Sequence, residues 1–161
     1  MRKLLLFMTA FVLLSACGGT KESAGQDSQA KNVIPLVVDQ QYQFTAREMQ
    51  PQGGRSRYLN TTYFVRLTKE KVNVDLPYAG RAYTATPGSS DSPLRFEAPY
   101  EITSTDGKKG RKEVVIRPVG VDVREMLFTI YPGGTASLSV ISNSRSSISF
   151  SGEVGPLPEN K

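Results

Sequence analysis

The 161-residue sequence has no histidine, no tryptophan and a single cysteine. Without histidine there is no Ser-His-Asp triad, no Cys-His dyad and no imidazole metal site. Each of these needs a group that titrates near neutral pH or ligates through nitrogen. One cysteine allows neither an intramolecular disulfide nor a multi-thiolate zinc site. The length points to one domain and excludes large multi-layer enzyme folds such as a (β/α)8 barrel. Also missing are a D-x-D-x-D-G calcium loop, a phosphate-cradling glycine loop ahead of a helix and a nucleophile elbow. The 15 acidic residues are scattered beside turns or alternate with apolar positions, the pattern of a solvated face. Paired carboxylates acting as acid and base must instead meet in one cleft. The sequence therefore reads as non-enzymatic, with no cofactor and no metal.

What is present begins with an address. Met1 to Ala16 (residues 1–16) has a basic start at Arg2 and Lys3, an apolar run from Leu4 to Leu14 and small residues ahead of a cut site. As a helix the run would be about 16 Å long, against about 30 Å for the hydrocarbon core of a bilayer. It is too short for a resting membrane span. Directly after it stands Cys17, in the order Leu14-Ser15-Ala16-Cys17. This L-S-A-C resembles a bacterial lipobox, which implies cleavage between Ala16 and Cys17. It also implies diacylglycerol on the Cys17 sulfur and acylation of the new amino group, palmitate being a typical chain. Two or more chains anchor stably where one holds marginally, at about 0.8 kcal/mol per buried methylene.

Residues 17–32 comprise Cys17 and a segment of Gly, Ser, Thr, Gln, Ala and isolated charges, with no aromatic and no branched aliphatic residue. Such a stretch cannot bury enough apolar surface to offset its ordering entropy and is expected to be a flexible tether. Its root-mean-square span is roughly 20–23 Å and its taut limit about 50 Å. Residues 155–161, with Pro156 and Pro158, read as a short tail. Residues 33–154 are left as the folding unit, which is long enough for a single core.

Within that unit the dominant period is two, which places alternate side chains on one face of a strand. The clearest run is Val72-Asn73-Val74-Asp75-Leu76, stopped by Pro77. Others run from Tyr42 to Ala46, Tyr63 to Leu67, Glu101 to Thr105, Glu113 to Arg117, Glu125 to Tyr131, Thr135 to Ile141 and Ser147 to Val154. Turn residues join several of them, including Asp106-Gly107, Pro132-Gly133-Gly134 and Asn143-Ser144. About eight short strands at this spacing predict an all-β domain, a single antiparallel sandwich or small barrel, whose last three strands form a meander.

Two segments carry more than a strand pattern: Leu76-Pro77-Tyr78-Ala79-Gly80-Arg81-Ala82-Tyr83 and Asn143-Ser144-Arg145-Ser146-Ser147-Ile148-Ser149-Phe150-Ser151-Gly152. With an early strand from Phe44 to Pro51, they resemble the domain-of-unknown-function 4251 family of Gram-negative bacterial lipoproteins. The resemblance implies an exported, lipid-anchored, mostly β domain, and it brings no assigned activity and no assigned site residues. Read physically, the first segment is a strand exit at Pro77, with Gly80 free to take a backbone angle closed to other residues. Tyr78 and Tyr83 then either cap the core edge, with Arg81 bonding loop carbonyls, or form with Arg81 a small recognition patch, since Tyr and Arg anchor binding surfaces.

The remaining candidate is a basic tip, Asp106-Gly107-Lys108-Lys109-Gly110-Arg111-Lys112. Charge on a turn is ordinarily solvation; the sharper reading is contact of Lys108, Lys109, Arg111 and Lys112 with anionic headgroups or lipopolysaccharide phosphates. Nucleic acid is not expected, because no aromatics interleave with these cations in an exported chain. Loss of the first sixteen residues removes two cations and lowers the net charge from +5 to +3. The expected protein is a membrane-anchored binding or accessory module of the Gram-negative envelope. Its place is the outer membrane, on the periplasmic or the surface side, and it works through loops or a sheet edge on an envelope protein. A carrier with a lipid or other hydrophobic ligand in a β cavity is the alternative, and a carboxylate-based hydrolase a third.

Overall fold

The computed structural model describes residues 32–80 and 93–159. The early alternation makes β1 (Tyr42–Pro51), followed by β2 (Arg57–Leu67), β3 (Val72–Leu76) and β4 (Leu94–Ala98). Then come β5 (Tyr100–Asp106), β6 (Lys112–Pro118), β7 (Val123–Ile130), β8 (Thr135–Ser142) and β9 (Ile148–Gly155). All nine strands belong to one antiparallel sheet in the order β4-β3-β2-β1-β9-β8-β7-β6-β5. The sheet is two meanders joined where β1 pairs with β9. Its outer strands, β4 and β5, are consecutive in the chain and separated only by Pro99. Proline has no N–H to give a ladder, so it suits the point where one extended stretch leaves β3 and takes up β6. This continuity brings the two sheet edges together as a nearly closed barrel, which decides the sandwich-or-barrel alternative.

Inward positions alternate as the sequence pattern requires. Tyr42, Phe44 and Ala46 on β1 face Val65 and Leu67, Val72, Val74 and Leu76, and the apolar faces of β6 to β9. Phe128 meets Phe44 edge-on at 5.6 Å between ring centres and Tyr42 at 6.3 Å, so aromatic rings fill the middle of the barrel. At Arg47 the alternation slips by one: Ala46 and Met49 are both buried, and both neighbours of β1 shift register between Ala46 and Glu48. A second slip falls between Val123 and Glu125 on β7. Extra residues of this kind bend a strand and raise its twist, which helps curve the sheet round.

The bulge has a partner across the ladder. Gly152 lies opposite Ala46, and a Cβ there would collide with the carbonyl oxygen of Thr45. Only glycine lets β1 and β9 approach so closely.

Antiparallel alternation sorts the connections into two ends. One end carries the turns 52–56, 119–122 and 143–147 with the exit from β3; the other carries the turns 68–71, 107–111 and 131–134. The chain enters at this second end through a short helix, α1 (Ile34–Val38), which buries Val37 against the core. The Val33 N–H donates to the Pro132 carbonyl at 3.0 Å, tying the entry point to the β7–β8 turn. Among the described residues no helix is long and apolar enough to cross a membrane.

Candidate functional site

The loop end away from the chain entry is built around Tyr78. Pro77 ends β3, and the next residue turns its ring inward until it is 6% exposed. The hydroxyl lies 3.0 Å from Ser146 Oγ and 3.2 Å from the Ser146 carbonyl oxygen, to which it donates. Gly80 sits over this contact: a Cβ there would fall 2.5 Å from the Tyr78 hydroxyl and 2.6 Å from Ser146 Oγ. The Arg145 guanidinium lies over the Tyr78 ring, 5.1 Å from its centre. The ring's negative face attracts such a cation. Tyr78 is thus a core cap, with Arg145 stacked on its ring. Arg81 and Tyr83, the other two members of the predicted patch, lie outside the described residues, as do Ala16 and Cys17.

Beside this cap a groove of about 260 Å3 opens between Pro93, Leu94, Arg95 and Phe96 on one side and Val121, Asp122, Val123 and Arg145 on the other. Leu94 and Val123 are buried and form its apolar floor. Its wall is stiffened by Asp122, which accepts from the Ser144 N–H at 3.2 Å and the Ser144 hydroxyl at 2.6 Å, while its own carbonyl accepts from Asn143 N–H. Asp122 therefore staples the β6–β7 turn to the β8–β9 turn. Arg95 is exposed and reaches Asp75 with one nitrogen 3.1 Å from each carboxylate oxygen. The groove combines an apolar floor with two guanidinium groups and one carboxylate that is already bonded. That composition can hold an apolar side chain beside an anionic group. Among the described residues that line it there is no pair of carboxylates to divide acid and base roles.

Two further surface grooves are more polar. One of about 180 Å3 lies at the entry end between Arg66, Thr68, Lys71, Asn73, Glu97, Leu157 and Pro158. There Glu97 accepts from Lys71 Nζ at 2.7 Å and from Asn73 Nδ2 at 2.9 Å. These hydrogen bonds hold the Glu97 carboxyl below its ordinary range, and the bond and charge of Glu97 raise Lys71. The other, of about 370 Å3, lies between Gln50, Pro51, Gln52, Gly53, Ser147 and Ser149. No cluster of three or more metal-ligating side chains occurs among the described residues.

The predicted basic tip forms the β5–β6 turn at the entry end. A 3-10 turn spans Lys108–Gly110, with Lys109 and Gly110 both at positive φ, 62° and 72°. Two of its four cations are matched locally: Lys112 Nζ lies 2.6 Å from Asp106, and Arg111 lies 2.5 Å from Glu113. Lys108 and Lys109 are exposed and pair with no carboxylate among the described residues.

Arg95 and Asp122 were not legible as site residues. On β4 the alternation Leu94-Arg95-Phe96-Glu97 is too short and too closely flanked by Pro93 and Pro99 to stand out as a strand, and Asp122 looks like an ordinary turn residue.

No curated protein matches the chain. Among solved structures it is similar to the crystal structure of a DUF4251 family protein from Bacteroides eggerthii DSM 20697, at 16% identity and a TM-score of 0.62. The match covers 79% of this chain and 87% of that one, and it shows a shared fold. The family described as Domain of unknown function (DUF4251) matches residues 24–154, a span that includes both the Tyr78 segment and the Ser146 segment it contacts, and the chain belongs to that family.

Proposed function

We propose that this protein is an exported, lipid-anchored binding module of the bacterial envelope that uses its loop end to hold a polypeptide partner. The segment it holds presents an apolar side chain next to a carboxylate. The observation that carries this reading is the placement of the Leu94–Arg145 groove. Its two guanidinium groups flank an apolar floor at the end of the barrel opposite Val33, where the tether from Cys17 enters. A tethered domain then offers its groove away from its anchor. The filled aromatic and aliphatic core supports a module over a carrier, since a carried lipid needs that same volume. Among the described residues Asp122 is the one carboxylate lining the groove, and it is already bonded, which supports binding over hydrolysis.

Two measurements test the two halves. Palmitate labelling and intact mass should show acylation and membrane association of the wild type, both lost in Cys17→Ser; an unmodified N-terminus overturns the anchor. A photo-crosslinking residue at Val121 should give one discrete protein adduct that weakens with Arg145→Ala at unchanged protein level. The same probe on the barrel wall at Thr103 should give none. Absence of the Val121 adduct, or its indifference to Arg145, overturns the groove.

A further inference from the structure

The entry end has its own chemistry. Val33, the first residue bonded into the fold, is held by the Pro132 carbonyl at 3.0 Å. A Cβ on Gly110 would lie 3.5 Å from Pro132 Cγ, so the β5–β6 tip packs beside the same turn. Arg111 bonds Glu113 and lies close enough to Tyr131 to interact with it electrostatically, which places an exposed aromatic ring, 42% accessible, near the tip. Val38 on α1 is another exposed apolar side chain at this end, 61% accessible. With Arg111 and Lys112 matched by Glu113 and Asp106, the tip keeps the two positive charges of Lys108 and Lys109. The neighbouring turn adds no net charge, because Lys69 is followed by Glu70 and Lys71 is paired with Glu97. Asp39 and Glu159 are also exposed at this end, on α1's exit and the C-terminal tail.

We infer that this end is a membrane-contact surface: Lys108 and Lys109 meet the phosphates of anionic glycerophospholipids in the leaflet that holds the anchor, with Tyr131 at headgroup level. The inference rests on the lipid-anchor reading of Cys17 given above. Fifteen residues separate Cys17 from Val33, with a root-mean-square span of roughly 20 Å. That length keeps the tip within reach of the surface at high effective concentration, so a contact too weak to recruit a free protein can still orient a tethered one. Each lysine near an anionic surface favours the docked arrangement roughly fivefold. Lysines beside an aromatic ring are also a combination suited to the bilayer interface, where the ring sits among headgroups and the cations face phosphate. Docked in this way, the barrel stands on its entry end and its loop-end groove points away from the bilayer.

The absence of native tryptophan gives a clean test. The full-length acylated protein is placed in phosphatidylethanolamine vesicles with or without phosphatidylglycerol, carrying either Tyr131→Trp or, at the opposite end, Val119→Trp. Quenching by brominated lipid should be strong for Tyr131→Trp with phosphatidylglycerol and absent for Val119→Trp. Raising the salt from 0.01 M to 0.15 M shortens the screening length from about 30 Å to about 8 Å and should weaken it. Lys108→Gln combined with Lys109→Asn should reduce the docked-to-free ratio roughly 30-fold. Asparagine tolerates the positive φ at position 109, so the turn is preserved. Equal quenching of both probes, or indifference to the lysine changes in protein that still floats with the vesicles, overturns this orientation and leaves the anchor standing. Protein that fails to float and carries an unmodified N-terminus overturns the anchor and the orientation with it. Quenching only when lipopolysaccharide replaces phosphatidylglycerol overturns the assignment to the phospholipid leaflet.

Discussion

The Tyr78 hydroxyl and Ser146 Oγ lie 3.0 Å apart in the interior of the loop end, although 68 residues separate them in the chain. Each belongs to one of the two segments that set this sequence apart, and the contact explains why the segments look as they do. Pro77 stops the strand, Tyr78 caps the core, Gly80 leaves room for the hydroxyl, and the Ser146 carbonyl and hydroxyl receive it. Arg145 closes the stack from outside. What reads in sequence as two separate motifs is one joint between the β3 exit and the β8–β9 turn.

Tyr78→Phe leaves the ring in place and takes away its bond to Ser146, whose polar atoms are then buried with one partner fewer. The expected loss is about 1–2 kcal/mol in denaturant unfolding, with the fold intact. Gly80→Ala should do at least as much, because its methyl must displace either the hydroxyl or Ser146 Oγ. Wild-type stability in both variants would show that the joint contributes nothing.

Gly152 makes a sharper case. Its missing side chain is where the Thr45 carbonyl sits, beside the β1 bulge. Backbone, unlike the end of a flexible side chain, cannot step aside, so Gly152→Ala should reach or exceed the upper end of the roughly 1–3 kcal/mol usual for overpacking. Gly133→Ala, with nothing within 4 Å of its Cβ position, is the control and should stay within about 0.5 kcal/mol of wild type. Thermal unfolding of the pair decides it: similar midpoints for both would mean that β1 and β9 do not depend on their close approach.

These joints also mark how far the sequence could be read. Alternation exposed eight of the nine strands, seven of which bury residues on one face while β5 only half-buries Tyr100 and Ile102, and it placed the last three as a meander, as found. It missed β4, five residues between two prolines, and it ended β1 at Ala46, where the bulge at Arg47 puts the alternation out of phase. The helix α1 was invisible because Ile-Pro-Leu-Val-Val holds three β-branched residues and one turn is too short for a helical period. Closure through Pro99 is a long-range property: it depends on how far the pairings stagger round the sheet, which no local pattern records. The groove was hidden for the same reason, since Arg95, Val121 and Arg145 meet only once the barrel is closed.

Tyr42 supplies a prediction that depends on pH. Its ring is fully buried at the start of β1, and its hydroxyl is the one buried side-chain polar atom without a hydrogen-bond partner among the described residues. Burial first, and the nearby Tyr100 second, push its ionisation well above the ordinary tyrosine range. A buried hydroxyl without a partner is a standing penalty of about 1–3 kcal/mol, so Tyr42→Phe should be as stable as wild type or more stable at pH 7. The sign at high pH follows from linkage. Unfolded tyrosine loses its proton at about pH 10 while folded Tyr42 keeps it, so the folded state binds more protons above that point and stability falls as pH rises. Half-buried Tyr100, whose hydroxyl sits 2.7 Å from the Thr68 carbonyl and 2.9 Å from Gln40 Oε1, is raised by burial and acts in the same direction. Wild type should therefore lose stability above about pH 10, with Tyr42 contributing up to about 1.4 kcal/mol per pH unit. Tyr42→Phe removes that share, so its advantage over wild type should widen between pH 9 and pH 11 in denaturant titrations. If the two stability curves instead run parallel across that window, the Tyr42 hydroxyl is not held in a dry core, and the barrel interior admits water or another polar partner at that point.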